Sequence, residues 1–172
     1  MVIFIFIAIA FTICLALVFG LVAPKQMMIV SSEIFIDRPK DWVHNYVKLL
    51  RNQEQYNAWI RKDPNIKMEY KGTDGTPGFI AAWESKTRMG GGEQEILSVT
   101  DEGYESELRF QNHENVTHVK TQLVALADNK TKVTYIMSAT PAFPMNMMVP
   151  MMKNMLKKDM DQTLANLKRV LA

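Results

Sequence analysis

Two groups of side chains have residue types and spacing that could support chemistry. The first is a carboxylate pair, Glu93 and Glu95, which lie two positions apart in a predicted strand and therefore share one face of it. If that face is interior, burial raises a carboxyl pKa toward neutrality and makes the group useful as a general acid or base. Because carboxylates are seldom fully buried, the sequence favours an outward, solvated pair.

The second group is His113 and His118, which bracket a predicted turn with Glu114 between them and imitate a metal site. The chain has three histidines and one cysteine and contains no H-E-x-x-H motif, so a solvated turn is the favoured interpretation. Residues 90–92 are three glycines without the strand-to-helix context of a phosphate loop. With no Ser-His-Asp set and no activated cysteine, we predict no catalytic residue, no metal and no cofactor.

Composition excludes further classes. The formal net charge is +2 and no run of Lys or Arg forms a stripe, so nucleic-acid binding is not predicted. The single cysteine, Cys14, excludes an internal disulfide framework. A length of 172 residues is typical of one domain with a substantial core.

The C-terminal segment, residues 141–172, is rich in methionine: seven of the thirteen methionines lie between Met145 and Met160. Apolar residues recur there every three to five positions, which predicts a long amphipathic helix. The predicted apolar face consists of Met148, Met152, Met155, Met160, Leu164, Leu167 and Leu171. Since methionine adapts to varied apolar partners, this face is either ordinary core or a ligand-facing surface. Pro150 either starts the helix or kinks it.

The elements before this helix follow a simple order. Residues 27–36 are a strand candidate, and Val43, Tyr46 and Val47 have the spacing of an amphipathic helix. A second short helix is predicted near residues 53–60. The pattern then alternates with period two between short turns, which is typical of an antiparallel meander of about six further strands.

The N-terminal residues 1–23 carry no charged side chain and are long enough to span a bilayer core. No basic residue precedes this run and it exceeds the usual length of a signal-peptide core, so an uncleaved transmembrane anchor over residues 1–24 is favoured over a signal peptide. The domain then occupies residues 25–172. Lys25, Arg38 and Lys40 follow the run, which favours a cytoplasmic domain.

Several short strings, in this order and spacing, resemble the START-like, polyketide cyclase/dehydrase type of SRPBCC domain, the group that includes the birch-pollen allergen fold. The matching strings are residues 34–36, 39–47, 56–59 with Asp63 and Pro64, Gly78 with Trp83, and residues 92–96, 131–135 and 161–168. Together they cover nearly all of residues 27–172. One departure is Lys62, where the family often has a second tryptophan.

The resemblance implies an α+β helix-grip fold, in which a curved antiparallel sheet of about seven strands wraps a long C-terminal helix. Two short helices follow the first strand, and an apolar cavity lies between sheet and C-terminal helix. Members of the family bind lipids, sterols, polyketides or other hydrophobic molecules, and a minority catalyse. No catalytic residue of the family transfers to this sequence.

The leading hypothesis is therefore a membrane-anchored module that binds a hydrophobic small molecule or lipid. The predicted cavity-lining residues are Trp83, Phe110, Tyr135, Met137, Met148, Met152 and Met155. One alternative is an enzyme that uses Glu95 or Tyr135 as acid or base, which requires a carboxylate or hydroxyl in the cavity. Another is a protein-interaction domain that docks a partner on the methionine-rich segment, which requires that this segment be exposed.

Overall fold

The structure is a computed structural model that describes residues 2–22, 27–87, 90–111 and 115–172. The helices are α1 (Val2–Val22), α2 (Lys40–Val47), α3 (Gln53–Tyr56), α4 (Ala58–Lys62) and α5 (Val149–Val170). The strands are β1 (Met28–Ile36), β2 (Lys67–Lys71), β3 (Ile80–Glu84), β4 (Gly92–Thr100), β5 (Gly103–Phe110), β6 (Val116–Ala127) and β7 (Lys130–Ala139). Short 3-10 helices occupy Leu50–Asn52 and Met145–Met148.

The seven strands form one sheet in the order β1-β7-β6-β5-β4-β3-β2, and every neighbouring pair is antiparallel. Irregularities in register interrupt β4 between Ile96 and Ser98 and β6 between Ala125 and Ala127. Such bulges bend the strand that carries them and increase its twist, which curves the sheet. The predicted α+β architecture of a seven-stranded antiparallel sheet with a long C-terminal helix is confirmed.

The inner face of the sheet follows from the period-two pattern of the strands. Along β7 the buried residues alternate with half-buried ones, so one face of the strand lies in the core. These buried residues are Thr131, Val133, Tyr135, Met137 and Ala139. The helix α5 packs across this face, mainly against β1, and also contacts α3 and α4. Its fully buried apolar side chains include Met160 and Leu167, which are 0% and 1% exposed.

The helix α5 begins at Val149, one residue before Pro150. Proline stands in the first turn, where its missing N–H has no partner to lose, so it starts the helix and does not kink it. At the other end, Lys168 and Arg169 lie in the last turn, where positive charge is favourable. Arg38 Nε donates to the carbonyl oxygen of Leu171 at 3.0 Å and ties the end of the chain to the segment after β1.

The N-terminal prediction requires a correction. The side chains that the structure describes in α1 are all exposed. No helix in the described part of the chain is long and apolar enough to cross a membrane. The predicted single-pass membrane localisation, with the domain on the cytoplasmic side, is therefore wrong. Residues 1, 23, 24 and Lys25 lie outside the described residues.

A charged link joins α5 to the edge of the sheet and gives a pH-dependent prediction. The Asp161 carboxylate accepts hydrogen bonds from Lys157 and from the Ser32 hydroxyl of β1. Those two contacts, Lys157 first, lower the pKa of Asp161 below its ordinary value. A depressed carboxyl pKa stabilises the fold above the unfolded-state pKa, and this contribution is lost as pH falls through the folded-state pKa.

The variant Asp161→Asn should therefore be less stable than the natural chain near neutral pH, by less than about 1 kcal/mol because half-exposed ion pairs are screened. The difference in the free energy of unfolding should shrink as the pH falls through the lowered folded-state pKa of Asp161, where the carboxyl takes up a proton and is uncharged like the amide. Urea unfolding of both chains at pH 7, 5 and 3 measures this. A difference that stays constant over that range would contradict the charged link.

Candidate functional site

A pocket of about 130 Å³ lies between the sheet, the α3–α4 segment and α5. We call it the apolar chamber. Its lining consists of Leu50, Gln53, Asn57, Trp59, Ile60, Ile66, Met68, Ala81, Trp83, Gln94, Leu108, Phe110, Tyr135, Met137 and Leu156. Five strands contribute to it through side chains on the inner face of the sheet, and α3, α4 and α5 close the other side.

The chamber is apolar and carries no charge among the described residues that line it. At one end Trp83 and Phe110 meet edge to face, with ring centroids 5.7 Å apart, in the arrangement that aromatic pairs prefer. The polar groups of the lining are three amides, one phenol and the indole N–H groups of two tryptophans, and Trp83 Nε1 is buried without a hydrogen-bond partner in the described part of the chain. Of these, Gln94 donates through Nε2 to Ser106 Oγ at 2.8 Å. Burial of an apolar ligand here gains roughly 25 cal/mol per Å² of apolar surface.

A second, smaller space of about 20 Å³ adjoins the chamber, and we call it the polar recess. It is lined by Val47, Gln53, Tyr56, Asn57, Tyr104, Thr121, Val133, Tyr135, Thr163, Leu164 and Leu167. The Oγ1 atom of Thr121 is buried and has no hydrogen-bond partner in the described part of the chain. Burial raises the pKa of Tyr56, Tyr104 and Tyr135 above the ordinary tyrosine value, so these phenols stay neutral.

The structure places the seven predicted lining residues in two groups. The lining of the apolar chamber includes Trp83, Phe110, Tyr135 and Met137. The three methionines of the C-terminal segment lie outside that lining: Met152 is half-buried against the core, and Met148 and Met155 are 49% and 59% exposed. Contact of any of the seven with a ligand stays a prediction.

Sequence reasoning missed most of the polar and helical part of the lining. The α3–α4 segment contributes Gln53, Asn57 and Trp59, and α5 contributes Leu156 in place of the predicted methionines. The signal for Leu108 was present, because it shares the period-two face of Phe110 on β5. No comparable signal marked Gln53 or Asn57, since amides in short helices are ordinarily solvated.

The carboxylate pair lies on the outer face of the sheet. Arg109 NH1 donates to Glu93 Oε1 at 3.1 Å and to Glu95 Oε2 at 2.7 Å, and its NH2 donates to Glu107 Oε2 at 2.9 Å. These carboxylates, Glu95 first, raise the pKa of the Arg109 guanidinium. Neither Glu93 nor Glu95 lines the chamber, so an acid–base role for Glu95 in it has no geometric support. Tyr135 does line it, but a phenol whose pKa is raised by burial is a poor base.

The other chemical candidates have structural roles or lie outside the described residues. His118 is exposed on the outer face of β6, with Nδ1 3.4 Å from Glu107 Oε1. His113 and Glu114 lie outside the described residues. Within the described ranges, no three His, Cys, Asp or Glu side chains converge as metal ligands. Gly92 begins β4 beside the Trp83 ring, where a Cβ atom would come within 2.5 Å of a ring carbon, so packing explains this glycine.

Together, the sheet order, the helix α5 laid across the inner face and the apolar chamber between them define a helix-grip protein of the START-like, SRPBCC type. The chain belongs to the polyketide cyclase/dehydrase and lipid transport family, which matches residues 27–172. Comparison with curated proteins gives no match.

Solved structures of the same fold are similar in shape and distant in sequence. A hypothetical protein from Helicobacter pylori has a TM-score of 0.67 at 12% identity, with 89% of this chain and 93% of that chain covered. Norcoclaurine synthase from Thalictrum flavum, in complex with dopamine and hydroxybenzaldehyde, has a TM-score of 0.61 at 10% identity, with 84% and 86% covered. A protein from Thermus thermophilus has a TM-score of 0.60 at 13% identity, with 82% and 94% covered. At these identities the likeness concerns the fold.

Proposed function

We propose that residues 25–172 form one domain that binds a hydrophobic small molecule, or the apolar part of a lipid, in the apolar chamber. The observation that carries this proposal is the uncharged, mainly apolar lining of an unfilled pocket between the sheet and the helices. A concave apolar wall with a few polar groups is the usual form of a small-molecule site. A ligand in the pocket would cover apolar surface that the chain itself leaves unpacked.

The size of the chamber sets the size of the ligand. An engineered apolar cavity of about 150 Å³ binds benzene, so a chamber of about 130 Å³ fits a molecule of one ring or a short stretch of acyl chain. Typical pockets for larger ligands occupy roughly 300–1,000 Å³. A sterol or a whole lipid would therefore require the wall of the chamber to open. The norcoclaurine synthase structure holds one-ring aromatic molecules on the same fold, which agrees with this size class.

Purification of the full chain followed by native mass spectrometry and organic extraction tests the proposal. We expect a co-purifying apolar molecule, or stoichiometric binding of an added one such as p-xylene. Trp59 and Trp83 line the chamber, so their fluorescence should change on binding, whereas Trp42 is 48% exposed and does not belong to the lining. The variant Trp42→Phe should keep the full fluorescence change. Absence of any bound or added ligand at millimolar concentration would remove the proposal.

A second function has support from one observation, the exposure of the methionine-rich segment. Met147, Met151 and Met155 follow at intervals of four residues and are 62%, 61% and 59% exposed. Met151 and Met155 lie four residues apart on one side of α5, and Met147 is exposed in the 3-10 helix that precedes it, so we call these three residues the methionine strip. Exposed methionines suit an adaptable docking surface. We propose a protein-docking role for the methionine strip in addition to ligand binding.

A photo-reactive side chain placed at Met151 tests the docking role in cells. We expect one discrete crosslinked product, and its loss when Met147→Gln and Met155→Gln are combined with the crosslinker. The same crosslinker at Thr134, on the outer face of β7, serves as the control position. Identical products from both positions, or products unaffected by the glutamine substitutions, would argue against docking on the methionine strip.

A further inference from the structure

Three residues with hydroxyl groups form a row across the inner face of the sheet. Tyr104 on β5 lies directly opposite Thr121 on β6, and Thr121 lies directly opposite Tyr135 on β7. Directly opposed residues have Cβ atoms about 4.5–5.5 Å apart and point to the same face. All three side chains are buried, at 3%, 4% and 7% exposure, and all three line the polar recess. Three hydroxyl-bearing residues on neighbouring strands are thus gathered at one end of the cavity system.

The row keeps hydrogen-bonding capacity for a guest. Thr121 Oγ1 is buried beside the phenol of Tyr104, and it makes no hydrogen bond of good geometry in the described part of the chain. A hydroxyl can donate one hydrogen bond and accept two, so Thr121 can bond a guest as well as Tyr104. A buried hydroxyl that is poorly bonded costs free energy, up to roughly 1–3 kcal/mol when it has no partner. A guest that offers a well-aligned hydrogen bond to Thr121 would reduce that cost.

The recess is large enough for a polar group of such a guest, and it shares lining residues with the chamber. Its volume of about 20 Å³ exceeds the roughly 10–15 Å³ that one water-sized group requires. Gln53, Asn57 and Tyr135 line both the recess and the chamber, so these three side chains form their common boundary. A molecule whose ring fills the chamber can extend one polar atom across that boundary.

Charge in the guest is disfavoured. Among the described residues, neither the lining of the chamber nor that of the recess includes Asp, Glu, Lys, Arg or His. A carboxylate or ammonium group would lose its hydration and find no counter-ion, which costs far more than the burial of a neutral hydroxyl. The recess therefore selects for a neutral group.

We propose that the polar recess binds the single uncharged hydroxyl or carbonyl group of a ring-sized ligand whose apolar body lies in the apolar chamber. The inference rests on the proposed binding function and specifies its ligand class. Thr121 and Tyr135 are the residues that recognise the polar group, and the chamber recognises the ring. A ligand of the same shape that lacks the polar group still fits the chamber and loses only its contact with the recess.

The test uses the near-isosteric pair p-cresol and p-xylene, with 4-methylbenzoate as the charged analogue, titrated calorimetrically into the full chain. In the variant Thr121→Val, which removes the hydroxyl and keeps the shape, affinity for p-cresol should fall about 3- to 10-fold, the worth of one hydrogen bond. Affinity for p-xylene should stay unchanged, and 4-methylbenzoate should not bind the natural chain. Thr134→Val, the same substitution on the outer face of β7, should change neither affinity.

The outcomes separate this inference from the proposed function. If the natural chain binds both neutral ligands and Thr121→Val lowers both affinities equally, or neither, the recess does not recognise a polar group and the inference fails while the binding function stands. If neither ligand binds the natural chain, both fail. Should Thr121→Val not fold, Tyr135→Phe removes a hydroxyl from the same row and must reduce the p-cresol affinity selectively.

Discussion

Replacement of Gly103 by alanine should destabilise the fold by about 4 kcal/mol or more, near the limit of what single substitutions do. Gly103 begins β5 with φ of +142°, a backbone conformation that other residues seldom adopt. A Cβ atom on it would lie 1.9 Å from the carbonyl oxygen of Thr121 and 3.2 Å from the Cα atom of Gln122. Because both neighbours are backbone atoms of β6, the clash can be relieved only by separating two paired strands.

Gly78 provides the matched control. Its φ is +84°, also in the region that favours glycine, but a Cβ atom there would meet nothing within 4 Å. The variant Gly78→Ala should therefore cost only the conformational strain, roughly 1–2 kcal/mol. Urea unfolding of Gly103→Ala, Gly78→Ala and the natural chain separates the two effects. Equal losses in both variants would show that strain, and not the contact with β6, governs Gly103.

The sheet could be predicted from the sequence because its pattern is local. In β7 buried residues alternate with half-buried ones, and in the sequence of β5 charged residues stand at every second position, so the period of two identifies both the strand and its inner face. The outward direction of Glu93 and Glu95 was predicted because carboxylates are seldom buried, and their neighbour Gln94 faces inward. The antiparallel meander was predicted from the short turns, and the wrapping of the sheet on the C-terminal helix from the family resemblance. A period-two pattern does not state that β1 pairs with β7.

The predicted apolar face of α5 was right in its second half and only partly right in its first. It contained Met155, which is 59% exposed, whereas the side chain that reaches the chamber is Leu156. In the second half hydropathy missed two buried polar residues, Thr163 and Asn166, which are 3% and 6% exposed. These two bind the α3–α4 segment, with Thr163 Oγ1 accepting from Ala58 N at 3.0 Å and Asn166 Nδ2 donating to the Tyr56 carbonyl at 3.0 Å.

The candidate site was only partly visible for a related reason. Its polar side chains are buried by residues that lie far away in the sequence, and no local sequence pattern can predict such contacts. Gln53 and Asn57 belong to short helices whose composition is typical of a surface, yet both are buried, at 5% and 8% exposure. Thr121 lies on a strand whose pattern gives its direction, but the recess forms only when β5, β6, β7, α3 and α5 meet.

Replacement of Ala81 by phenylalanine should abolish binding in the chamber while the protein still folds. Ala81 lies on the inner face of β3, is 4% exposed and lines the chamber. A phenyl ring at this position enters the space of about 130 Å³ and acts as a covalently attached ligand. Affinity for p-xylene should fall at least about tenfold, which corresponds to about 1.4 kcal/mol. The change in stability should stay within about 1–3 kcal/mol, because the ring fills a void but must fit an existing wall.

The neighbouring residue gives a control on the same strand. Ala82 is half-buried on the opposite face of β3 and lies outside the chamber lining, so Ala82→Phe changes the same residue type by the same volume without filling the chamber. Calorimetric titration of p-xylene into both variants should show binding lost only in Ala81→Phe. If Ala81→Phe folds and binds p-xylene like the natural chain, the ligand lies elsewhere on the protein. If Ala82→Phe loses binding equally, the loss comes from a disturbed strand β3 and not from a filled chamber, because of these two residues only Ala81 faces the chamber.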